Sequence, residues 1–441
     1  CNGCGAKESG CFSRITGQLP WEDESVTSAK PFVIPKRLVW EAYQRVKANR
    51  GAAGIDGQSI EEFDRDQSRN LYRIWNRMSS GSYFPPAVKA VPIPKKSGGE
   101  RILGVPTVSD RIAQTAVTLV LEPILEPVFH DDSYGYRPGK SAHDALAVTR
   151  KRCWERDWVL EYDIRGLFDN IDHGLLLKAL RHHCDERWVL LYVERWLTAP
   201  MQGRDGTPKP RTVGTPQGGP LSPVLANLFL HYALDRWLSV HHPDIPFCRY
   251  ADDGILHCRS EAEANGLREQ LGARLRDCGL QMHPGKTRVV YCKDSKRTGT
   301  HEHVTFDFLG YTFRPRRIGD RHGRVRMGFT PAVSRQAMKA MRQSMRRWHL
   351  PLRSELSLGD LARMTALRVR GWMRYYRRFR GSEFQPVADY LDRVIVRWAM
   401  RKYKRLRGHQ TRAFNWLDRV RRRQPGLFVH WCGRGAFSVE A

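Results

Sequence analysis

The sequence predicts an α+β fold whose last quarter is helical. Two observations lead to this prediction. Through the first 320 residues, short apolar segments typical of β-strands are mixed with segments that repeat at the helical period. Beyond about Thr330 only the helical period remains, and it predicts three helices, at 331–348, 358–379 and 384–407.

The elements before that region follow from the same patterns and from turn residues. Residues 1–30 lack periodicity and are predicted to be a loose leader. The helices predicted after it are 38–49, a segment through Phe63 and Leu71, 110–128, 142–155, 175–183 and 221–240. The predicted strands are 88–94, 101–105, 158–164, 247–250, 254–258 and 289–292. The turn Ser97-Gly98-Gly99 should join the first two strands into a basic hairpin.

The charge of the chain limits its possible partners. The 441 residues include 74 Lys and Arg against 46 Asp and Glu, a formal net charge of +28, which favours a polyanion or an acidic surface as partner. Residues 321–441 alone hold 29 Lys and Arg and 7 Asp and Glu, so the rest is nearly neutral. The length predicts two or three domains, and a hydrophobic content of 41% argues against global disorder.

Aromatic residues alternate with the cations of this basic region, and they have two interpretations. They could stack on bases while the arginines contact phosphates, or they could form helix cores beneath a solvated basic face. We expect most of them in cores, although that leaves the charge excess unexplained. They are Trp348, Trp372, Tyr375, Tyr376, Phe379, Trp398, Tyr403, Trp416 and Trp431.

The cysteines and the hydropathy predict the compartment. Ten cysteines are spread thinly over a chain without a secretory signal, which is typical of reduced thiols in a cytoplasmic protein. Cys1 and Cys4 have metal-ligand spacing, but Cys11 would be a third ligand without a clear fourth, so we predict no zinc site. We expect no membrane span. Because the chain begins with Cys, we expect its natural N-terminus to lie upstream.

Three aspartates are the strongest candidates for chemistry. Asp252 and Asp253 lie between two short apolar segments, which predicts a tight hairpin with both carboxylates at its tip. Such a like-charged pair favours a shared Mg²⁺, although adjacent acids in turns are common. Asp163 ends another apolar strand, and together these acids could hold the two metal ions of an in-line phosphoryl transfer. Asp169 and Asp172 are better explained as helix N-terminal acids.

Several short motifs follow one another along the chain. They are Ile93-Pro94-Lys95-Lys96 with Arg101, Pro106-Thr107-Val108-Ser109-Asp110-Arg111, Ser133-Tyr134-Gly135-Tyr136-Arg137-Pro138, the strand at Asp163 with Phe168 five residues on, the stretch from Gly214 to Pro223, Tyr250-Ala251-Asp252-Asp253, His283-Pro284-Gly285-Lys286-Thr287, and Phe308-Leu309-Gly310-Tyr311. In this order, and from about Leu38 to Trp431, the chain resembles the reverse transcriptases of the group II intron maturase family.

The resemblance implies a right-hand polymerase. Residues 31–320 would form fingers and palm from an antiparallel sheet with helices, residues 321–405 a helical thumb, and residues 406–441 a basic maturase segment. Many family members continue into a DNA-binding region and an endonuclease. Neither follows Ala441, so we expect that this chain lacks them or has been cut.

The resemblance also assigns roles around the three aspartates. Asp163, Asp252 and Asp253 would be the catalytic acids. Asp163, Asp252 and the carbonyl of Ile164 would bind two Mg²⁺ ions, for which Mn²⁺ is an alternative. Lys286 would lie near the leaving pyrophosphate, although it could equally be a surface cation.

Other residues would bind the incoming nucleotide. Phe168, with Gly166 and Leu167, would lie under the sugar and exclude the 2′-hydroxyl, although ordinary core packing is the alternative for this ring. Gln217 would touch the templating base pair. Lys95 and Arg101, facing each other across the basic hairpin, would grip the triphosphate, with Lys96 ranked lower because it should point to the opposite face.

Further residues would contact nucleic acid, chiefly by neutralising phosphates without reading sequence. The segment 403–423 would bind intron RNA. The individual candidates are Arg111, Arg137, Gly218, Arg374, Arg377, Arg378, Arg401, Lys404 and Arg405.

The resulting prediction is a cytoplasmic, bacterial-type RNA-directed DNA polymerase that also assists the splicing and mobility of its intron. Its partners would be intron RNA, an RNA template with a DNA primer, and dNTPs. One alternative is a splicing-only maturase. In such a protein we would expect the catalytic acids to be replaced, whereas all three are present here. Another is a related reverse transcriptase recruited to defence, which the absence of a flanking intron would signal. The sequence makes no prediction of oligomeric state.

Overall fold

The structure is a computed structural model that describes residues 30–94, 99–203, 205–319 and 324–432. The predicted leader lies almost wholly outside the described residues, as do Cys1, Cys4 and Cys11. Lys95 and Lys96 of the predicted hairpin also lie outside them.

The strands and helices of the described residues follow in chain order. The strands are β1 (Val88–Pro94), β2 (Glu100–Val105), β3 (Trp158–Asp163), β4 (Met201–Gln202), β5 (Pro208–Lys209), β6 (Phe247–Tyr250), β7 (Asp253–Cys258), β8 (Arg288–Tyr291), β9 (Phe306–Phe308), β10 (Tyr311–Gly319) and β11 (Val325–Val333). The helices are α1 (Lys36–Ala48), α2 (Ile60–Arg65), α3 (Gln67–Ser79), α4 (Val108–Leu125), α5 (Ala142–Glu155), α6 (Leu167–Asn170), α7 (His173–Arg181), α8 (Arg187–Thr198), α9 (Ser222–Leu230), α10 (Arg236–His241), α11 (Glu261–Asp277), α12 (Arg335–Arg347), α13 (Leu358–Tyr376), α14 (Gln385–Lys402) and α15 (Gln410–Arg423).

The chain forms two compact units. The first unit takes the residues up to Phe129 and Gly166–Leu230, and the second takes His130–Arg165 and the residues from His231 on. In the first unit, strands in the order β2-β1-β4-β5 form a small sheet, in which β1 and β2 are antiparallel. Helix α1 packs its apolar face against α4. Most residues of α4, including its Val, Ala and Ile residues near the N-terminal end, are buried, so α4 is a core helix.

The second unit contains two antiparallel sheets. One has the strand order β6-β7-β3-β8 and the other β11-β10-β9. Helix α5 contacts β6 and β7, and α11 contacts β3, β7 and β8. Every residue of β3 except Glu161 is buried, which explains why the strand is a nearly continuous apolar run.

The last helices of the second unit form their own core. Ser334 and Ser357 cap α12 and α13, each by accepting a hydrogen bond from a backbone N–H of the first turn. Trp398 and Trp431 are buried in this core. Trp348, Trp372, Tyr403 and Trp416 pack against it at partial exposure, which agrees with the core interpretation of the aromatics.

The structure confirms the mixed α+β character and corrects two segments. Residues 325–333 form strand β11 where the predicted thumb was helical, and the helix predicted from 331 begins at Arg335, after Pro331 has taken part in the strand. The long helix predicted at 221–240 is interrupted by a π-helical segment, His231–Asp235. Asp172 caps α7 by accepting from the N–H of Leu175 at 2.7 Å, as predicted for a helix N-terminal acid.

The basic hairpin forms from β1 and β2, which pair antiparallel with Ile93 opposite Arg101. The predicted facing of Lys95 and Arg101 lies outside the described residues and stays a prediction. Across the described ranges, each helix is too short or too polar to cross a bilayer.

Candidate active site

Neighbouring strand ends in the second unit bring the three predicted aspartates together. Antiparallel pairing of β3 with β7 puts Asp163 directly opposite Asp253. Asp252 precedes Asp253 in the turn between β6 and β7, where Ala251 takes a left-handed φ of +56°. The N–H of Ile164 donates to the backbone carbonyl of Asp252 at 3.2 Å, which ties the strand end to the turn.

One of the three carboxylates is paired with an ammonium group. Lys286 donates a hydrogen bond to Asp163, whose side chain is only 8% exposed. This hydrogen bond raises the pKa of Lys286, although partial burial acts against the shift. Loss of hydration, and then the like charges of Asp252 and Asp163, raise the pKa of Asp253 to about 7. The site therefore carries more negative charge than its own cation neutralises.

This excess of charge suits a hard divalent cation. Within the described ranges, no three His, Cys, Asp or Glu side chains converge into a metal-binding group. The predicted ligands, Asp163, Asp252 and the carbonyl of Ile164, contribute only two carboxylates, and Mg²⁺ commonly takes few protein ligands and completes its octahedron with water and substrate phosphates. The donor chemistry therefore fits Mg²⁺.

A second acid on β3 was missed by the sequence analysis. Glu161 accepts from Arg288 of the neighbouring strand at 3.1 Å. Burial raises the pKa of Glu161 to about 7, although the charge of Arg288 opposes the shift. The sequence carried a signal for it, because an acid flanked by apolar residues in a strand is rarely buried without a partner.

The candidates around Phe168 belong to the first unit. Phe168 is buried, and its carbonyl accepts from the N–H of Thr215 at 2.7 Å. Gly166, with a φ of +59°, precedes the four-residue helix α6, which contains Leu167 and Phe168. At Gly214 a Cβ would lie 2.7 Å from the carbonyl oxygen of Phe168, so only glycine allows this close approach. The backbone of Phe168 is thus held by the Gly214 loop.

The same loop is linked to the basic hairpin. The Arg101 guanidinium donates to the side-chain oxygen of Gln217, and the N–H of Gly104 donates to the backbone oxygen of Gln217 at 2.7 Å. Gly218 is exposed and has a φ of +123°. The structure therefore brings together two predicted nucleotide-binding residues, Arg101 and Gln217.

Two predicted nucleic-acid contacts are instead engaged with backbone. The buried Arg111 donates to the carbonyl of Ala52 at 2.7 Å. The buried Arg137 donates to the carbonyls of His130 and Ser133 at 2.5 and 2.8 Å. These contacts are typical of arginines that brace loops, and any role in nucleic-acid binding stays a prediction.

The C-terminal candidates lie mostly at the surface. Arg377 is partly buried. The exposed ones are Arg374, Arg378, Arg401, Lys404 and Arg405. Near them, a depression of about 540 Å³ is lined by polar and cationic residues that include His409, Arg412, Asn415 and Arg419. Distributed cations of this kind suit a phosphate backbone.

The comparison with known families agrees with this site. Residues 93–313 match the family of reverse transcriptases (RNA-dependent DNA polymerases). Because this match covers half of the chain, the chain belongs to the reverse transcriptase family. Residues 338–415 match the maturase-specific domain of group II introns. The predicted resemblance to group II intron reverse transcriptases is therefore confirmed.

Individual relatives share parts of the chain. Protein YkfC of Escherichia coli K12 is 29% identical over 360 residues, which make up 72% of this chain and 91% of YkfC. The group II intron-encoded protein LtrA of Lactococcus lactis subsp. cremoris is 35% identical over 219 residues, 49% of this chain and 36% of LtrA. An uncharacterized 91 kDa protein in the cob intron of Schizosaccharomyces pombe is 32% identical over 217 residues, 48% of this chain and 26% of that protein.

Proposed function

We propose that this reverse transcriptase-family chain is an active RNA-directed DNA polymerase that extends a DNA primer on an RNA template with dNTPs. The pairing of Asp163 with Asp253, next to Asp252 and Lys286, is the observation that supports it most strongly. A splicing-only protein has no need for such a concentration of acids, whose mutual repulsion is unfavourable without a cation. A cytoplasmic location is part of the proposal.

The proposed catalysis divides the work among these residues. Asp163, Asp252 and the Ile164 carbonyl would hold Mg²⁺, which when bound favours deprotonation of the primer 3′-hydroxyl and stabilises the leaving pyrophosphate. Lys286 keeps an ammonium at Asp163 that can donate a proton or a hydrogen bond to a phosphate oxygen. Asp253 raises the local negative charge and so favours cation binding.

The remaining roles are assigned by analogy with the palm, fingers and thumb of a right-hand polymerase. The sheet with β3 and β7 would be the palm, the β1–β2 hairpin part of the fingers, and α12 to α14 the thumb. Arg101 would contact the triphosphate and Gln217 the templating base pair. Phe168 would exclude the ribose 2′-hydroxyl, and the close contact of its carbonyl with the Gly214 loop would limit its freedom to move aside.

Primer extension tests the polymerase proposal. Purified protein with Mg²⁺, dNTPs and a DNA primer annealed to RNA should extend the primer. Asp252→Ala should lower the rate by about 10³-fold or more, since metal stabilisation of transition-state charge contributes several kcal/mol. Asp277→Ala, which removes an exposed acid from α11, is the matched control and should leave the rate unchanged. Equal activity of Asp252→Ala and the control would refute the assignment.

Nucleotide selection is tested separately at Phe168. Phe168→Ala should increase incorporation of ribonucleotides relative to dNTPs by about 10-fold or more, because removing the ring makes room for the 2′-hydroxyl. Single-nucleotide insertion kinetics with dCTP and CTP measure this ratio. Unchanged selectivity in a folded variant would favour the alternative, ordinary core packing.

We propose a second activity in intron splicing and mobility, because residues 338–415 match the maturase-specific domain. The exposed cations of α13 to α15 would bind intron RNA through its phosphates. Asp252→Ala should retain splicing of the cognate intron at moderate salt while losing primer extension. Loss of both activities in a folded variant would argue against separate functions.

A further inference from the structure

An ion pair lies beneath the turn that carries Asp252. Arg249 and Asp235 are both fully buried, with 0% of either side chain exposed. The contact is bidentate: Arg249 Nε donates to one carboxylate oxygen of Asp235 at 2.7 Å and Nη2 donates to the other at 2.5 Å. This fork geometry fixes the plane of the guanidinium.

The same guanidinium reaches the turn itself. Arg249 Nη1 donates to the carbonyl of Ala251 at 3.2 Å. Ala251 has a left-handed φ of +56°, which is unfavourable for a residue with a Cβ and persists only when its surroundings hold it. That carbonyl belongs to the peptide group that leads into Asp252. The ion pair therefore holds the strained residue next to a predicted catalytic acid.

Neighbouring segments also pack closely against this turn. The N–H of Tyr134 donates to the carbonyl of Arg249 at 2.8 Å. A Cβ at Gly135 would lie 2.5 Å from the backbone nitrogen of Ala251, and one at Gly254 would lie 2.2 Å from the Tyr162 ring. The backbone on both sides of the carboxylates is thus tightly packed.

Asp235 reaches Arg249 from the π-helical segment His231–Asp235. Such segments place an extra residue in a helix and are frequent at functional sites. Arg274 of α11 donates to the carbonyls of Tyr232 and Ala233 at 3.0 and 3.1 Å, which supplies donors to backbone groups in this segment. The irregular helix is thus held by specific contacts.

We propose that Arg249 and Asp235 are a positioning pair, which fixes the Ala251 turn so that Asp252 and Asp253 are held in place for polymerisation. The proposal rests on the polymerase function. A buried ion pair commonly adds little stability compared with apolar residues of similar volume. A role in orienting the turn therefore explains the pair better than stability does.

The decisive test separates positioning from stability. The double variant Arg249→Met/Asp235→Leu removes both charges and should retain the thermal midpoint of the wild type, whereas Arg249→Met alone should lower it by leaving Asp235 unpaired. In primer extension the double variant should lose about 10²-fold in kcat, the cost of a small misplacement of reacting groups. Its KM for dNTP and its affinity for primer-template should be unchanged. Wild-type kcat in the double variant would overturn the proposal.

A conservative variant and a control complete the experiment. Arg249→Lys keeps the charge but cannot make the bidentate contact, so it should fold and show a smaller loss of kcat, about 10-fold, at unchanged KM. If the double variant does not fold, full kcat in Arg249→Lys would refute the proposal. The control Arg297→Met/Asp294→Leu removes another largely buried pair of the second unit and should leave kcat unchanged. Failure of the wild type to extend primers would instead refute the polymerase function.

Discussion

Two regions of the second unit differ in how their charged side chains are balanced. Around β3 and β7 three cations each contact a particular acid: Lys286 contacts Asp163, Arg288 contacts Glu161 and Arg249 contacts Asp235. Residues 321–441 hold 29 Lys and Arg and only 7 Asp and Glu, an excess of 22 cationic side chains. Paired charges orient groups, whereas unpaired surface charges attract a polyanion.

The largest effect is expected from removing an acid of the β3–β7 sheet, which tests whether the two regions act independently. We expect Asp163→Ala to lower primer extension by about 10³-fold or more, because the variant loses a predicted metal ligand and the partner of Lys286. RNA affinity should stay within about twofold of the wild type, since the exposed cations are intact. Steady-state extension and filter binding measure the two quantities. A parallel loss of RNA affinity would mean that the two regions are not independent.

An acid among the C-terminal helices should behave differently. The buried Asp392 of α14 accepts from His430 at 2.7 Å and from the Trp431 indole at 2.9 Å. Asp392→Ala should therefore destabilise the protein by about 3 kcal/mol, because it leaves these buried donors without an acceptor. Urea unfolding measures this loss. At a temperature where the variant stays folded its kcat should equal that of the wild type, and a specific loss of kcat would contradict a purely structural role.

The sequence predicted most of this organisation from local patterns. The strand ending at Asp163 and the hairpin carrying Asp252 are short apolar runs, and the chemistry of two-metal phosphoryl transfer predicted that their acids act together. Strand β11 was missed because Arg326 and Pro331 mask the alternation of a strand. The ion pair of Arg249 with Asp235 could not be predicted, because it depends on a π-helical segment and on contacts between residues 14 positions apart in different elements.

The smallest effect is expected from removing exposed cations of the C-terminal segment. It measures most directly how much these cations contribute to RNA binding. The triple variant Arg374→Gln/Arg378→Gln/Arg401→Gln removes three exposed cations and should weaken RNA binding by about 10-fold at moderate salt. If each cation neutralises one phosphate, the slope of log affinity against log salt should fall by about 2 to 3, since each contact contributes roughly 0.7 to 0.9 to that slope. The triple variant Arg65→Gln/Arg69→Gln/Arg73→Gln changes three cations outside the C-terminal segment and serves as the control. A salt slope that changes equally in both variants would show that net charge alone attracts the RNA, and not the positions of Arg374, Arg378 and Arg401.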